Sequence, residues 1–222
     1  MRPEAPPASF NKVFERLLDA HGPQRWWPAE TRFEVMIGAI LTQNTAWTNV
    51  ERALTRLAGR CALKPDQLLA LPEAELADAI RPAGYFNVKA RRLRAFCAAF
   101  VDAGGHAVLD DMDTPTLRER LLAIHGIGPE TADDILLYAF GRPVFVVDAY
   151  TRRLFTRLGL LAGHEGYEAI RASFEHALGS DVPVLNEYHA LIVRHAKDVC
   201  RARAPRCAAC CLADCCPGCT IG

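Results

Sequence analysis

The stretch that decides the fold is IHGIGPETADDILLYAFGRPVFVVDAYTRR, residues 124–153. A Gly-Ile-Gly bend at 126–128 joins two segments in which apolar residues recur at helical spacing. Pro129 suits the first turn of the second helix, where a missing N–H costs nothing, and Gly141 is expected to end it. The stretch therefore predicts a helix–hairpin–helix over about residues 116–140. The apolar positions after the bend are Ala132, Ile135, Leu136, Ala139 and Phe140.

The bend is a candidate phosphate-binding loop. Gly126 and Gly128 are free to take backbone angles that other residues avoid. A helix that begins at a glycine bend presents N–H groups and the positive end of its dipole to an anion. Gly126, Ile127, Gly128 and Thr131 are therefore expected to contact the backbone of a nucleic acid. Ordinary helix connections also use such glycines, and Pro129 removes one donor.

Length and composition indicate a globular protein with a substantial core. The chain has 222 residues, of which 50% are hydrophobic and 23% charged, enough for one large domain or two small ones. It begins without the apolar run of a secretory leader and contains no apolar run of membrane-spanning length. These features favour a cytoplasmic protein without a membrane partner, associated with the nucleoid if it binds DNA.

The formal net charge of zero argues weakly against nucleic acid as a partner, but the basic residues are clustered. Lys89 opens a run of four bases in six residues, and Arg203 lies in a second run at 197–206. A third cluster, Arg152 and Arg153, lies just beyond Asp148 at the end of the opening stretch. These clusters are either solvated faces or phosphate contacts; their position beside the candidate segments favours phosphate contacts.

Helical periodicity dominates the rest of the chain. Residues 33–41 form a wide apolar face, and residues 64–86 indicate two short helices interrupted at Pro72. Residues 87–105 predict a longer helix closed by the Gly104-Gly105 pair. Strand-like alternation is confined to PVFVV at 143–147, too short to build a sheet. The sequence predicts an all-α fold.

The cysteines point to a metal centre. Seven of the nine fall between residues 200 and 219, and the cytosol keeps thiols reduced, so disulfides are not expected there. Four thiolates in one compact loop suit a [4Fe–4S] cluster, although thiolate ligands also accept zinc. Cys211, Cys215 and Cys219 are additional to the set, and Cys215 competes with Cys216. The predicted ligands, spaced C-x6-C-x2-C-x5-C, are Cys200, Cys207, Cys210 and Cys216.

Two motifs resemble one family. The tail HAKDVCRARAPRCAACCLADCC is similar to the C-terminal cluster loop of endonuclease III-like DNA glycosylases, whose spacing favours Cys216 over Cys215. The bend followed by TADDILLYAFGRPVFVVDAYTRRL resembles the helix-hairpin-helix motif of the same superfamily, and the resemblance runs from about Phe33 to Cys216.

The resemblance implies two helical subdomains. Residues 30–141 would form a six-helix barrel containing the hairpin, and residues 1–29 with 142–222 would form the cluster domain, with the cluster loop at 200–216. Double-stranded DNA containing a damaged base would bind a monomer in the cleft between the subdomains.

In that superfamily the hairpin is followed by an essential aspartate, whose place Asp148 fills. Cleavage of a glycosidic bond builds positive charge on the sugar. An ionised carboxylate in a water-poor site stabilises that charge and positions or deprotonates the attacking water. Asp148 also suits the N-cap of a following helix, and the two roles are compatible.

One departure from the family pattern bears on the chemistry. Bifunctional members carry a lysine in G-x-G-x-K-T-A that attacks the sugar as a Schiff-base nucleophile, whereas this chain reads GIGPETA. Glu130 occupies the lysine's place and cannot form an imine. The expectation is a monofunctional enzyme with Asp148 and Glu130 facing the flipped nucleotide. Lys89 and Lys197 remain as alternative amines.

The resemblance also assigns residues to base extrusion. Gln43 in LTQNTAW matches the residue that fills the gap left by the flipped base. Tyr85 in AGYFNVKARR matches a wedge that stacks beside the opposite strand, where stacking returns about 1–3 kcal/mol.

The tryptophans suggest a substrate. WWPAETRFEVMIGAILTQNTAW resembles the corresponding segment of endonuclease III-type 3-methyladenine glycosylases, which implies a pocket for an alkylated purine formed by Trp26, Trp27 and Trp47. A cationic base over tryptophan gains about 0.5–2 kcal/mol. Alternatively, these residues anchor the N-terminal arm in the core. Two further hypotheses stay open: an enzyme for oxidised pyrimidines with weak lyase activity, and a lesion-binding protein without catalysis.

Overall fold

A computed structural model describes residues 8–24, 26 and 29–219 of the chain. The prediction of an all-α fold is confirmed, because no β-strand occurs in this part of the chain. The chain divides into two compact units: residues 1–26 with 143–222, and residues 27–142. Among the described residues, no helix has both the length and the apolar character needed to cross a membrane.

The described residues contain twelve α-helices. In chain order they are α1 (Phe10–His21), α2 (Arg32–Leu41), α3 (Trp47–Ala58), α4 (Pro65–Ala70), α5 (Glu73–Ala79), α6 (Phe86–Asp102), α7 (Gly105–Leu109), α8 (Thr114–Leu122), α9 (Pro129–Asp134), α10 (Ala149–Arg157), α11 (Tyr167–Leu178) and α12 (Val182–Asp198). Single 3₁₀ turns lie at Arg81–Ala83, Cys207–Ala209 and Ala213–Cys215.

The unit of residues 27–142 is built around α2. Eight of the ten residues of this helix are buried, as expected for a helix that is apolar on every side. It packs against α3, α6 and α9. The two short helices predicted around Pro72 are confirmed as α4 and α5, and the longer helix ends before Gly104, which has φ +88°.

The helix after the bend departs from the prediction of one regular helix. α9 continues into a π-helical turn at Ile135–Ala139, and Gly141 follows with φ +60°. The side chain of Arg32 closes this turn, because its Nε donates to the Ala139 carbonyl oxygen at 2.6 Å and its guanidinium lies 5.0 Å from the Phe140 ring centroid. Apolar spacing alone did not distinguish a widened turn from an α-helical one, since both bury the same side chains.

The unit of residues 1–26 with 143–222 has an aromatic core between α1, α10, α11 and α12. Phe145 and Phe174 stack with ring centroids 3.9 Å apart, and Phe155 and Tyr188 meet Phe174 edge-on. The apolar stretch 143–147 is extended and mostly buried without joining a sheet. The Phe145 N–H instead donates to a carboxylate oxygen of Glu175 at 2.9 Å.

Candidate functional site

Asp148 is the last extended residue before α10. Its Oδ1 accepts hydrogen bonds from the Thr151 N–H at 2.7 Å and from the Thr151 hydroxyl at 2.9 Å. The N-cap role proposed from the sequence is therefore present. Because the cap uses Oδ1 alone, the second carboxylate oxygen is held in a fixed direction.

The second oxygen of Asp148 faces an imidazole. Its Oδ2 lies 3.6 Å from Nε2 of His189, and the two side chains are only 12% and 7% exposed. Burial acts to raise the pKa of Asp148, but the nearby imidazole of His189 and the hydrogen bonds from Thr151 outweigh it, so that the pKa lies below its ordinary value. Asp148 is thus an ionised carboxylate in a largely enclosed position.

Trp26 lies on the other side of this imidazole. Its ring stacks on His189 with centroids 5.9 Å apart and planes at 10°. The ammonium group of Lys197 lies 5.9 Å from the Trp26 ring and 5.8 Å from the Tyr150 ring. The structure therefore joins Asp148, His189 and Trp26 in one cluster, whereas Trp27 lies outside the described residues.

His189 was missed by sequence reasoning. It occupies a buried position in the apolar stripe of α12, where a histidine is more often an ordinary core residue than a functional one. The available signal was a titratable side chain in an otherwise apolar run, YHALIV. That signal becomes specific only when the fold brings the run beside Asp148.

Of the two glycines in the bend, only Gly126 has a backbone conformation that other residues avoid. Gly126 has φ +90°, and a Cβ there would lie 2.3 Å from Cγ of Arg92. Gly128 has φ −97° and ψ 178°, which any residue adopts, so the expectation of special backbone angles at Gly128 is wrong. As predicted, Pro129 occupies the first turn of α9.

The bend is hydrogen-bonded to side chains from elsewhere in the unit of residues 27–142. The amide nitrogen of Gln43 donates to the Gly126 carbonyl oxygen at 3.1 Å and to the Thr131 hydroxyl at 2.9 Å. The guanidinium of Arg92 donates to Oε1 of Gln43. The side chains of Ile127 and Thr131 are buried, with 5% exposure, and the DNA contact predicted at these two positions, which rests on backbone N–H groups, stays a prediction.

Lys89 was predicted to contact a phosphate, but its side chain is buried. It is 1% exposed, and its Nζ donates to the carbonyl oxygens of Leu41 and Ala83 at 2.9 and 2.7 Å. Burial, assisted by the charge of Arg92, lowers the pKa of Lys89 to about 8. The amine fastens the end of α2 to the turn before Tyr85.

Other members of the basic clusters also bond to backbone carbonyls. Arg94 donates to the carbonyl oxygens of Leu69 and Leu71 at 3.0 and 2.8 Å. Arg152 donates to the Glu165 carbonyl oxygen at 2.9 Å. Local sequence does not reveal these acceptors, because they belong to segments distant along the chain.

The four predicted cysteine ligands line one cavity. Cys200, Cys207, Cys210 and Cys216 share it with Cys219, whereas Cys211 and Cys215 are not among its lining residues. Apolar side chains close the walls, and two N–H groups point at sulfur atoms: Leu212 N–H lies 3.4 Å from Cys210 Sγ, and an Arg157 N–H lies 3.2 Å from Cys200 Sγ. The apolar lining residues are Leu154, Leu158, Val199 and Leu212.

This donor set fits an iron–sulfur cluster. Four thiolates in an apolar pocket, with N–H groups donating to sulfur, are what such a cluster requires. Cys215 makes other contacts: its thiol donates to the Leu212 carbonyl oxygen at 3.4 Å and accepts from Arg16 at 3.4 Å.

Two arginines of α10 support the cysteine loop. Arg153 donates to the carbonyl oxygens of Cys200 and Ala196 at 3.0 and 2.9 Å. Arg157 donates to the Arg201 carbonyl oxygen at 2.7 Å. Arg153 was predicted to contact phosphates, but its guanidinium donates to carbonyl oxygens at the end of α12 instead.

The comparisons with known proteins decide the family. Residues 37–179 match the family of HhH-GPD superfamily base excision DNA repair proteins. The chain belongs to this superfamily. A Methanocaldococcus jannaschii protein named as a candidate DNA repair glycosylase is 48% identical over 93% of this chain and 92% of its own length. Endonuclease III of Sulfolobus acidocaldarius is 32% identical over 83% of this chain and 81% of its own.

Two solved structures share the fold. An endonuclease III in a non-covalent DNA complex superposes with a TM-score of 0.80 at 21% identity, covering 95% of this chain and 96% of that one. The 3-methyladenine DNA glycosylase MagIII of H. pylori, bound to 1,N6-ethenoadenine, gives a TM-score of 0.74 at 28% identity, covering 86% and 98%. The predicted resemblance to endonuclease III-like glycosylases is confirmed.

Three of the predicted DNA-site residues of this HhH-GPD chain are exposed. Tyr85 is 70% exposed and has φ +46°, a left-handed conformation immediately before α6. Glu130 is exposed in the first turn of α9, and Arg203 is exposed in the loop after α12. A bulky residue held at positive φ is costly, which makes Tyr85 a candidate for function.

Trp47 begins α3 in the unit of residues 27–142, whereas Trp26 belongs to the other unit. The indole N–H of Trp47 donates to Oε1 of Glu51 at 2.9 Å. A surface pocket beside it is also lined by Glu30 and Glu34. An aromatic ring surrounded by carboxylates favours a cation.

Proposed function

We propose that this HhH-GPD protein is a DNA glycosylase that hydrolyses the N-glycosidic bond of a damaged, flipped-out base in double-stranded DNA, as part of base excision repair. The observation that carries the proposal is the arrangement at Asp148. One carboxylate oxygen is fixed by the Thr151 N–H and hydroxyl, and the other faces His189 in an enclosed position. The N-cap role of Asp148 uses Oδ1 and does not explain why His189 faces Oδ2.

The proposed reaction uses the ionised Asp148 at the sugar. As the bond from base to deoxyribose breaks, positive charge develops on the sugar ring. A carboxylate kept ionised by its hydrogen bonds stabilises this charge, with little reorganisation because Oδ1 is already held. Water then attacks the sugar carbon and passes a proton to the carboxylate. His189 acts as a positioning residue, because it touches Asp148.

We further propose that the enzyme is monofunctional. Glu130 stands where bifunctional relatives carry the nucleophilic lysine, and a carboxylate forms no imine. The amine of Lys89 is buried and donates to two carbonyl oxygens, so it is not available to a sugar. Water is therefore the proposed nucleophile, and strand cleavage by β-elimination is weak or absent.

One observation favours a second candidate, a glycosylase for oxidised pyrimidines that also has weak lyase activity at abasic sites. The ammonium of Lys197 lies 5.9 Å from Trp26, whose ring stacks on the imidazole that touches Asp148. An amine in this cluster is the best placed alternative nucleophile. Borohydride trapping on abasic DNA distinguishes the two, since reduction captures an imine and not a hydrolysed product.

The proposed substrate is an alkylated purine. Trp26 offers a stacking surface beside the Asp148 cluster, and Lys197 already presents a cation to this ring. A cationic alkylated base stacked over the Trp26 ring would gain a cation–π attraction of about 0.5–2 kcal/mol. The 28% identical H. pylori enzyme, bound to a modified adenine, supports this class.

The proposed cofactor is a [4Fe–4S] cluster held by Cys200, Cys207, Cys210 and Cys216. When bound, such a cluster would join the cysteine loop to the end of α12 and so present the loop carrying Arg203 to phosphates. Cys216 is preferred over Cys215 because it lines the same cavity as the other three. Four iron atoms per chain and absorption near 400 nm are the expected measurements.

The proposal is tested by base release from duplexes carrying methylated purines, oxidised pyrimidines or deaminated bases, with borohydride trapping on the same preparation. Release of methylated purines without a trapped adduct is the expected result. A trapped adduct that disappears in Lys197→Met would support the second candidate instead. Binding to these duplexes without release of any base would overturn the assignment as an enzyme.

A further inference from the structure

Three side chains of metal-binding type converge beside the cysteine loop, outside the predicted cluster set. The ligand atoms of His21, His195 and Cys211 lie within 4.8 Å of one another. His21 ends α1, His195 lies near the end of α12, and Cys211 follows Cys210 in the loop. We propose that these three side chains bind a zinc ion, at a second metal site separate from the cluster cavity.

The positions of the two imidazoles suit this ion. Nε2 of His21 and Nδ1 of His195 face each other at 3.0 Å. In tetrahedral zinc sites the nitrogen atoms lie about 2.0–2.1 Å and sulfur about 2.3 Å from the metal, which places two nitrogen ligands about 3.3 Å apart. Zinc binding therefore requires the two rings to separate by only a few tenths of an ångström and the thiol to close in.

The neighbouring cluster ligand orients His195. This imidazole is fully buried, and its Nε2 lies 3.4 Å from Cys210 Sγ. With the proposed cluster bound, the Cys210 thiolate would be only an acceptor, so Nε2 of His195 would carry the hydrogen and Nδ1 would present its lone pair towards His21. Histidine ligands of metals generally donate their other N–H to an acceptor in this way. The predicted cluster thus prepares the zinc ligand.

Cys211 supplies the thiolate. It is one of the cysteines that the cluster spacing leaves over, and it does not line the cavity of the other thiols. Two imidazoles and one thiolate are typical zinc ligands, and three protein ligands leave a fourth position for water. The proposed zinc site therefore gives a role to Cys211, which neither the proposed glycosylase reaction nor the proposed cluster uses.

The ion would provide a second connection between α1 and the cysteine loop. The first is the ion pair of Arg16 with Asp214, in which Nη2 and Oδ2 are 2.6 Å apart. Zinc bound by His21 and Cys211 would join the last turn of α1 to the same loop and to α12. Because the three ligands come together only in the folded chain, zinc is expected to stabilise the fold by mass action.

The experiment is metal analysis of the iron-loaded protein, incubated with zinc chloride and freed of loosely bound ions by gel filtration. The wild type is expected to hold about one zinc ion per chain beside its iron. His21→Ala and Cys211→Ser are expected to lose the zinc while keeping iron content and the absorption near 400 nm. Thermal unfolding gives a second readout: zinc raises Tm of the wild type and of neither variant.

Matched controls are His176→Ala, at an exposed histidine of α11, and Cys61→Ser, at a half-buried cysteine of the other unit. Both are expected to keep the zinc. Three results would overturn the site: no zinc retained by the wild type, zinc retained equally by His21→Ala and Cys211→Ser, or loss of iron from Cys211→Ser. The last result would make Cys211 a cluster ligand. Base release by these variants plays no part in the outcome, so the site is tested independently of the proposed function.

Discussion

Asp133 and Asp148 are two acids in similarly enclosed positions, one in each unit, with different partners. Asp133 is fully buried, and both its oxygens accept from the guanidinium of Arg118, at 2.7 and 3.1 Å. Asp148 accepts from the N–H and hydroxyl of Thr151 and faces the imidazole of His189. The first carboxylate is matched by a charged fork at two points, whereas the second has one oxygen bound by Thr151 and the other 3.6 Å from an imidazole.

The difference separates a structural acid from a reactive one. An arginine fork neutralises a buried carboxylate and leaves little field for a substrate. The hydrogen bonds from Thr151 and a single imidazole 3.6 Å away keep Asp148 ionised and offset its charge less completely than a bidentate guanidinium does. Asp148 can therefore act on a positive charge that develops beside it. The variants below test this contrast.

The largest expected effect on stability is at Asp133. Asp133→Asn removes the negative charge that accepts two Arg118 N–H groups at a fully buried position, and we expect a loss of about 3–5 kcal/mol in the free energy of unfolding. Urea unfolding measures it. Asp148→Asn is the matched comparison and should lose less than about 1 kcal/mol, because asparagine also caps helices well. Equal losses in the two variants would contradict the distinction.

Lys89 and Arg91 extend the contrast to cations. Lys89→Met removes the donor of the Leu41 and Ala83 carbonyl oxygens and should cost about 1–3 kcal/mol in unfolding free energy. Arg91 is exposed on the same helix, and Arg91→Met should leave stability unchanged while lowering the salt dependence of DNA binding. If Lys89→Met left stability unchanged and reduced the salt dependence, the buried position of the amine would be contradicted.

His189→Phe keeps a ring against Trp26 but removes the nitrogen that faces Asp148. We expect base release in a single turnover to slow about tenfold, corresponding to the loss of an interaction of about 1.4 kcal/mol. Duplex affinity should hardly change. His176→Phe is the control, since this exposed histidine lies outside the cluster. An unchanged rate in His189→Phe would remove the positioning role.

The smallest effect is expected from pH. The folded-state pKa of Asp148 is lowered, so its contribution to stability is present above its ordinary value of 3.8 and is lost as the pH falls through the folded value. The carboxylate therefore stays ionised between about pH 8 and 5. Release of a cationic methylated purine should be nearly constant over that range. A loss of rate centred near pH 6.5 would assign the essential group to an imidazole.

Apolar spacing predicted most of the helices because it records which face each one buries. Pro72 and Gly104 marked real helix ends, and Asp148 was correctly predicted to suit an N-cap. The π-helical turn at Ile135–Ala139 could not be predicted in this way, since it buries the same side chains as an α-helix. Gly128 shows a similar limit: two glycines in a bend do not reveal which one needs positive φ.

The basic clusters were the weakest part of the sequence reasoning. Lys89, Arg94 and Arg153 were grouped with phosphate contacts, yet all three donate to backbone carbonyl oxygens. Their acceptors lie at helix ends that come near only in the folded chain. His189 was missed for the same reason, because its contact with Asp148 joins residues 41 positions apart.

The most direct test of the account is the single-turnover rate of base release from a methylated-purine duplex by Asp148→Asn, compared with wild type. The variant keeps the cap on α10 and loses the negative charge. We expect the rate to fall about 100- to 1000-fold, while duplex affinity stays within about threefold and unfolding free energy within about 1 kcal/mol. A rate within about tenfold of wild type in a folded, DNA-binding variant would contradict the claim that this carboxylate drives the reaction.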